Sequence, residues 1–175
     1  MNSGTGSGSK GKLIIIIVVV LLILYILSRM MGFFGNRAVE QVINQQTGGN
    51  SEVSGNGQSG TITTDKGTVT WGTNTLPSGW PSEISVYPGA TIQYSGAGKG
   101  GSGQNASTIV LASSDSPDTI SAYYKNVFST NGWTITGTAN TGGGIIIGAK
   151  NGAKTGGVSI TPGQSGSTVA VSVSQ

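Results

Sequence analysis

Histidine and cysteine are both absent from this 175-residue sequence. Zinc sites draw on those two residue types almost without exception, so zinc chemistry is excluded. The commonest general base and the thiol nucleophile go with them. No disulfide can form, and no lipidated cysteine can anchor the chain. Charge is scarce too: 9% of residues are Asp, Glu, Lys or Arg, against about 25% in an average soluble protein. Nine basic and six acidic residues leave a net charge of +3, with no run of like sign. Nucleic-acid binding needs Lys and Arg gathered on one face, so no nucleic-acid partner is expected. Glycine, serine, threonine and asparagine supply the polarity instead.

One long apolar run stands out. Residues 13–27, LIIIIVVVLLILYIL, are fifteen apolar residues without a break. As a helix they span roughly 22 Å, short of a bilayer core of about 30 Å. Extension through SRMMGFF to Phe34 gives about 33 Å, with Arg29 able to reach the headgroups. The run is read as a single transmembrane helix over 13–34, partnered by the lipid bilayer. Residues 1–12 are then a polar tail, and the slight excess of Lys10 and Lys12 orients the N-terminus inward. That places the C-terminal domain outside the cytoplasmic membrane. A cleaved signal peptide is the rival, but GFFGNRAVEQ offers no small-x-small site. A pilin-type helix fits poorly, because Gly32 follows the run and Arg37 stands five residues after it.

Residues 35–46 continue as a juxtamembrane helix. Val39, Val42 and Ile43 form one apolar stripe, a possible surface for self-association. Residues 47–60, TGGNSEVSGNGQSG, read as a flexible linker with an r.m.s. reach of about 20 Å.

Residues 61–175 carry the folded domain. TITTDKGTVTWG reads as a hairpin with a three-residue loop ending at Gly67. Three prolines in 73–90 forbid a helix there and enforce extended chain. Leu76, Trp80, Ile84, Val86 and Tyr87 are placed to pin that segment on a sheet or helix face. ATIQYS alternates, with Ala90, Ile92 and Tyr94 on one side. STIVLASS is a strand apolar on both faces at its centre. SPDTISAYYKNVFSTNGW predicts the domain's one strong helix. Ser116 is its N-cap, Pro117 its first residue, and Asn131-Gly132 its stop. Ile120, Tyr124, Val127, Phe128 and Trp133 are the expected core face. Four strands follow, ending in STVAVSVSQ with one buried face. The expected class is α+β: one helix packed on an antiparallel sheet, helix-grip-like, preceded by the transmembrane helix.

Two motifs carry a family likeness. Leu76, Pro77, Pro81, Glu83, Tyr87, Pro88, Gly89 and Ala90 form the first. Ser116, Pro117, Ile120, Tyr123, Tyr124, Phe128, Gly132 and Trp133 form the second. The pair resembles a family of membrane-anchored prokaryotic extracytoplasmic domains. Ser85 stands where that pattern usually has Pro, and Tyr123 where it more often has Phe. The resemblance covers about 60–175 and implies a location and a fold, but no reaction.

Other motifs fail on context. Gly96, Gly98 and Gly101 match G-x-G-x-x-G, yet lead into a strand rather than a helix. Asp115 and Asp118 are explained by helix capping, and Lys125 by a solvated helix face. Asn105-Ala106-Ser107 is the one glycosylation sequon. No catalytic residue, metal site or cofactor is expected. The aromatic residues left for surface binding are Tyr123 and Trp80. The function expected is non-catalytic: a membrane-anchored domain that binds or scaffolds an envelope component. A subunit of a surface filament or secretion assembly, using 13–46 as assembly helix, is the alternative; a hydrolase is the third.

Overall fold

The computed structural model describes residue 44 and residues 51–55, 58–99 and 103–175. The chain divides into two units, Met1–Gly48 and Gly49–Gln175, and all described residues but Asn44 belong to the second. That unit runs β1 (Ser51–Gly55), β2 (Gly60–Thr64), β3 (Gly67–Trp71), β4 (Thr91–Lys99), β5 (Asn105–Ser113), α1 (Pro117–Thr130), β6 (Thr134–Thr141), β7 (Gly144–Asn151), β8 (Lys154–Gly163) and β9 (Gly166–Ser174). The nine strands make one sheet in the order β1-β2-β3-β4-β5-β9-β8-β7-β6. Every neighbouring pair is antiparallel. Two meanders, β1–β5 and β6–β9, meet at the β5–β9 seam. Helix α1 carries the chain from the seam to the far edge.

Three expectations are corrected. The α+β class gives way to a mostly-β architecture, in which a nine-stranded sheet carries one helix among the described residues. The physical reason lies partly in β1. Ser51–Gly55 falls in the stretch read as linker, yet it pairs with β2 along its length and seats Val53, 7% exposed, beside Ile62. The single-pass membrane helix is the second correction. No helix among the described residues is long and apolar enough to cross a membrane, and residues 13–34 lie outside the described residues. At fourteen residues, α1 is about 21 Å long and apolar on one face alone. The cytoplasmic-membrane location, with the C-terminal domain outside, rested on that helix and loses its support. The proposed stripe of Val39, Val42 and Ile43 also lies outside the described residues.

The third correction concerns register. Tyr94 does not share a face with Ile92. Ile92 opposes Leu111 and Tyr94 opposes Val110, so Gln93 is an extra residue between them. Such a bulge turns the following side chains to the opposite face. Ile92 is buried in the core beside α1, whereas Tyr94 lies across from Trp71 on the other side. The β2–β3 loop is also tighter than expected, since Thr64 pairs directly with Gly67 across two residues.

Helix α1 is closed at both ends by its own sequence. Ser116 is extended, and its Oγ accepts from the Thr119 N–H at 3.4 Å. Gly132 adopts φ +75°, and the Trp133 N–H returns to the Phe128 carbonyl at 2.9 Å. This is a Schellman closure, and its usual hydrophobic contact is present: the Phe128 and Trp133 rings lie 5.6 Å apart. The helix packs over β6, β7 and β8. Ile120, Tyr124 and Phe128 are fully buried against Ile109, Leu111, Ile147, Val158, Ile160, Val169 and Val171. At Gly156 any Cβ would stand 3.0 Å from the Trp133 ring and 3.2 Å from Phe128, so β8 is bare where the aromatics cross it.

Two polar atoms are stranded in this core: Tyr124 Oη and Trp133 Nε1 have no hydrogen-bond partner. Burial, foremost, pushes the Tyr124 phenol well above its ordinary value. The ring is needed there and the hydroxyl is not. Phe128→Ala should therefore cost roughly 3–5 kcal/mol of unfolding free energy, while Tyr124→Phe should cost nothing or stabilise by about 1 kcal/mol. Urea unfolding of the two variants beside the parent chain checks the contrast.

Candidate functional site

The segment between β3 and β4 is held by specific side-chain bonds to several other parts of the fold. Its local form follows from its prolines and glycines. Trp80 N–H bonds back to Pro77, and Ile84 N–H to Pro81, each across a tight turn. Tyr87-Pro88-Gly89-Ala90 is a third turn, with Ala90 N–H donating to the Tyr87 carbonyl at 3.1 Å. Pro88 presets the first corner, and Gly89, at φ +75°, accepts the left-handed second corner. The turn delivers Tyr87 to the start of α1.

There the two sequence motifs meet. Tyr87 Oη donates to Asp115 Oδ2 at 2.5 Å. The Tyr87 ring stands edge-on to Tyr123 at 5.0 Å, and Tyr123 stands edge-on to Tyr124 at 5.2 Å. Such T-shaped pairs contribute about 0.5–1.5 kcal/mol beyond area burial. Ser167 on β9 donates to the Asp115 carbonyl at 2.7 Å, and the Asp115 N–H donates to Ser113 Oγ at 3.2 Å. Asp115 is thus held from β5, β9 and the Pro-rich segment together.

Of the two aromatics singled out for surface binding, Tyr123 belongs to this junction and Trp80 lies elsewhere on the Pro-rich segment. Each is half-buried and packed against the core. Trp80 Nε1 donates to the Ile84 carbonyl at 2.7 Å, and Tyr123 Oη donates to the Val86 carbonyl at 3.2 Å. Their polar ends are used within the fold, and part of each ring remains open to solvent. Leu76, four residues before Trp80, is 47% exposed. The far side of the segment is tied by Lys154 Nζ to Glu83 Oε1 at 2.8 Å and by Gln175 Nε2 to the Gly79 carbonyl at 3.3 Å.

The remaining candidates do not converge. Among the described residues no three acidic, histidine or cysteine side chains gather as a metal site. Glu83 and Asp115 are each engaged by a partner from another segment. Asp118 is exposed in the first turn of α1, beside a shallow cleft of about 250 Å³ lined also by Pro117, Asn140, Gly143, Gly144 and Ile145. Asn105 is exposed at the first position of β5. Sequence reasoning missed the Tyr87–Asp115 bond. The YPGA motif and the acid ahead of the helix cap were both visible, but no local pattern joins residues 28 positions apart.

A START domain-like family model matches residues 92–170. The matched segment runs from β4 through α1 into β9 and covers less than half of the 175-residue chain. It contains the motif around α1, and stops short of the YPGA turn. No curated protein and no solved structure matches. Nothing among these findings bears on the likeness to membrane-anchored extracytoplasmic domains.

The Tyr87 bond has a pH signature. The Asp115 carboxylate, foremost, and burial hold the Tyr87 phenol above its ordinary value. A raised folded value means stability that is complete below about pH 10 and is lost as pH rises through the folded value. Tyr87→Phe should cost roughly 1–3 kcal/mol at neutral pH and flatten the alkaline loss of stability. Chemical denaturation between neutral pH and the onset of base unfolding measures both.

The Glu83–Lys154 pair acts at the other extreme. Hydrogen bonding to Lys154, first, holds the Glu83 carboxyl below its ordinary value. A lowered value contributes above the unfolded pKa and fades as pH falls through the folded one. The side chains are 38% and 27% exposed, so solvent screening limits the pair to about 0.2–1 kcal/mol. Lys154→Met should show a deficit of that size at neutral pH that disappears in acid, read from urea midpoints at the two conditions.

Proposed function

We propose that this chain is a non-catalytic binding or scaffolding domain whose contact surface includes the half-open rings of Trp80 and Tyr123. The observation that supports this most is preorganisation. Both rings are half-open, and both have their polar ends fastened to backbone carbonyls of the segment between β3 and β4. Little side-chain freedom is left to lose on binding, which is the largest saving an interface aromatic can offer. Trp and Tyr are also the side chains most often found at binding hot spots. A filled interior argues in the same direction: Tyr124, Phe128, Ile120, Ile109, Leu111 and Ile147 occupy the space between helix and sheet. A partner of this domain is then met on its surface.

The test is retention of native partners from the source cell by the immobilised full chain. Trp80→Ala and Tyr123→Ala should each weaken retention at least about tenfold, the scale of a 1.4 kcal/mol contact. An exposed substitution on β2, Thr63→Ala, should leave it unchanged. Equal retention by all four proteins, or a hydrolytic activity abolished by Asp115→Asn, would overturn the reading.

A further inference from the structure

The sheet has two edges, and they are not alike. β1 is five residues long, carries Glu52, and already buries Val53. β6 is eight residues long, and every one of them is exposed. Its sequence, TITGTANT, contains no charge and no proline, the two usual means of blunting an edge. Among the described residues β6 pairs with β7 alone, so its outer row of N–H and C=O groups meets no other strand.

We propose that β6 is the contact through which two copies of this chain associate, antiparallel and edge to edge across a twofold axis. The register with β7 defines the usable length. Thr136 is an extra residue between Ile135 and Gly137, and such a bulge bends that end away. Gly137–Thr141 then oppose Gly148–Gly144 without interruption. That is a run of five paired residues, equal to the run that joins β1 to β2 and β2 to β3 in this same sheet.

Self-pairing places the same residues opposite one another, so a charged strand would repel its copy. This strand carries none. Centred on Ala139, the pairing sets Ala139 against Ala139, Thr138 against Asn140, and Gly137 against Thr141. The partner of Ala139 within the sheet is Ile146, which is 46% exposed. The dyad therefore builds one apolar row across the seam, Ile146–Ala139–Ala139–Ile146, from residues each copy leaves in water. A β6-to-β1 contact would be heterologous and would propagate instead of closing; it would also lose this row.

The absence of cysteine makes the test clean. Opposed residues in an antiparallel pair have Cα atoms about 4.5–5.5 Å apart, within disulfide reach. Full-length Ala139→Cys should form an intermolecular disulfide on mild oxidation at least about tenfold faster than Thr168→Cys, an exposed position on the interior strand β9. Sedimentation of the full chain should show a concentration-dependent dimer, and Ala139→Lys should abolish it while Ala139→Ser retains it. Circular dichroism and thermal melting matching the parent chain verify that the variants are folded. Equal disulfide rates at 139 and 168, a dimer untouched by Ala139→Lys, or a parent chain that sediments as a monomer at every concentration would overturn the proposal.

Discussion

Eight consecutive residue pairs between β5 and β9 hold this fold together. On either side of that seam the strands are arranged as meanders, and most successive strands close through two-residue turns. The seam joins residues about sixty positions apart, and the entropy of closing so long a loop must be recovered there. Recovery comes from burial. Ile109, Leu111, Val169 and Val171 are completely buried along the seam, in one core cluster with Ile120, Tyr124 and Phe128 of α1 and Ile84 and Tyr87 of the segment between β3 and β4. Helix α1 is at once the connection from the seam to the far edge and a contributor to the core that buries the seam.

The aromatic junction depends on that seam. Asp115 immediately follows β5, and its carbonyl is bonded by Ser167 of β9. Tyr87 can find Asp115 because both seam strands hold it still. Through Tyr87 the Pro-rich segment is fastened, and through that segment Val86 takes its place beside Tyr123. The aromatic junction thus hangs on interactions in the interior. The stranded hydroxyl of Tyr124 and indole N–H of Trp133 show what the core costs in unpaired polar atoms where large rings are needed to fill space.

Local features were the most legible. The N-cap at Ser116, the stop at Gly132 and the buried stripe of α1 each depend on residues within a few positions of one another, and each has its expected form. The last strand, β9, alternates for the same reason. Legibility failed where a distant partner decides. Ser51–Gly55 is Gly- and Ser-rich and reads as linker; β2 makes it a strand. Gln93 has no property that announces a bulge, yet it sends Tyr94 to the opposite face from Ile92. Of the junction, Tyr123 was visible as an aromatic off the centre of the helix stripe, while the bond between Tyr87 and Asp115 was not.

By itself, then, the sequence determined the chemistry its residue types exclude and the extent of α1. Those follow from composition and from steric preferences that act over a turn or less. The tertiary structure alone decided that nine strands form one sheet, that two distant motifs meet at an aromatic junction, and that β6 is left as an open edge. These depend on which segments compete successfully for the same backbone hydrogen bonds. That competition is settled by burial across the whole sheet, and no window of neighbouring residues contains it.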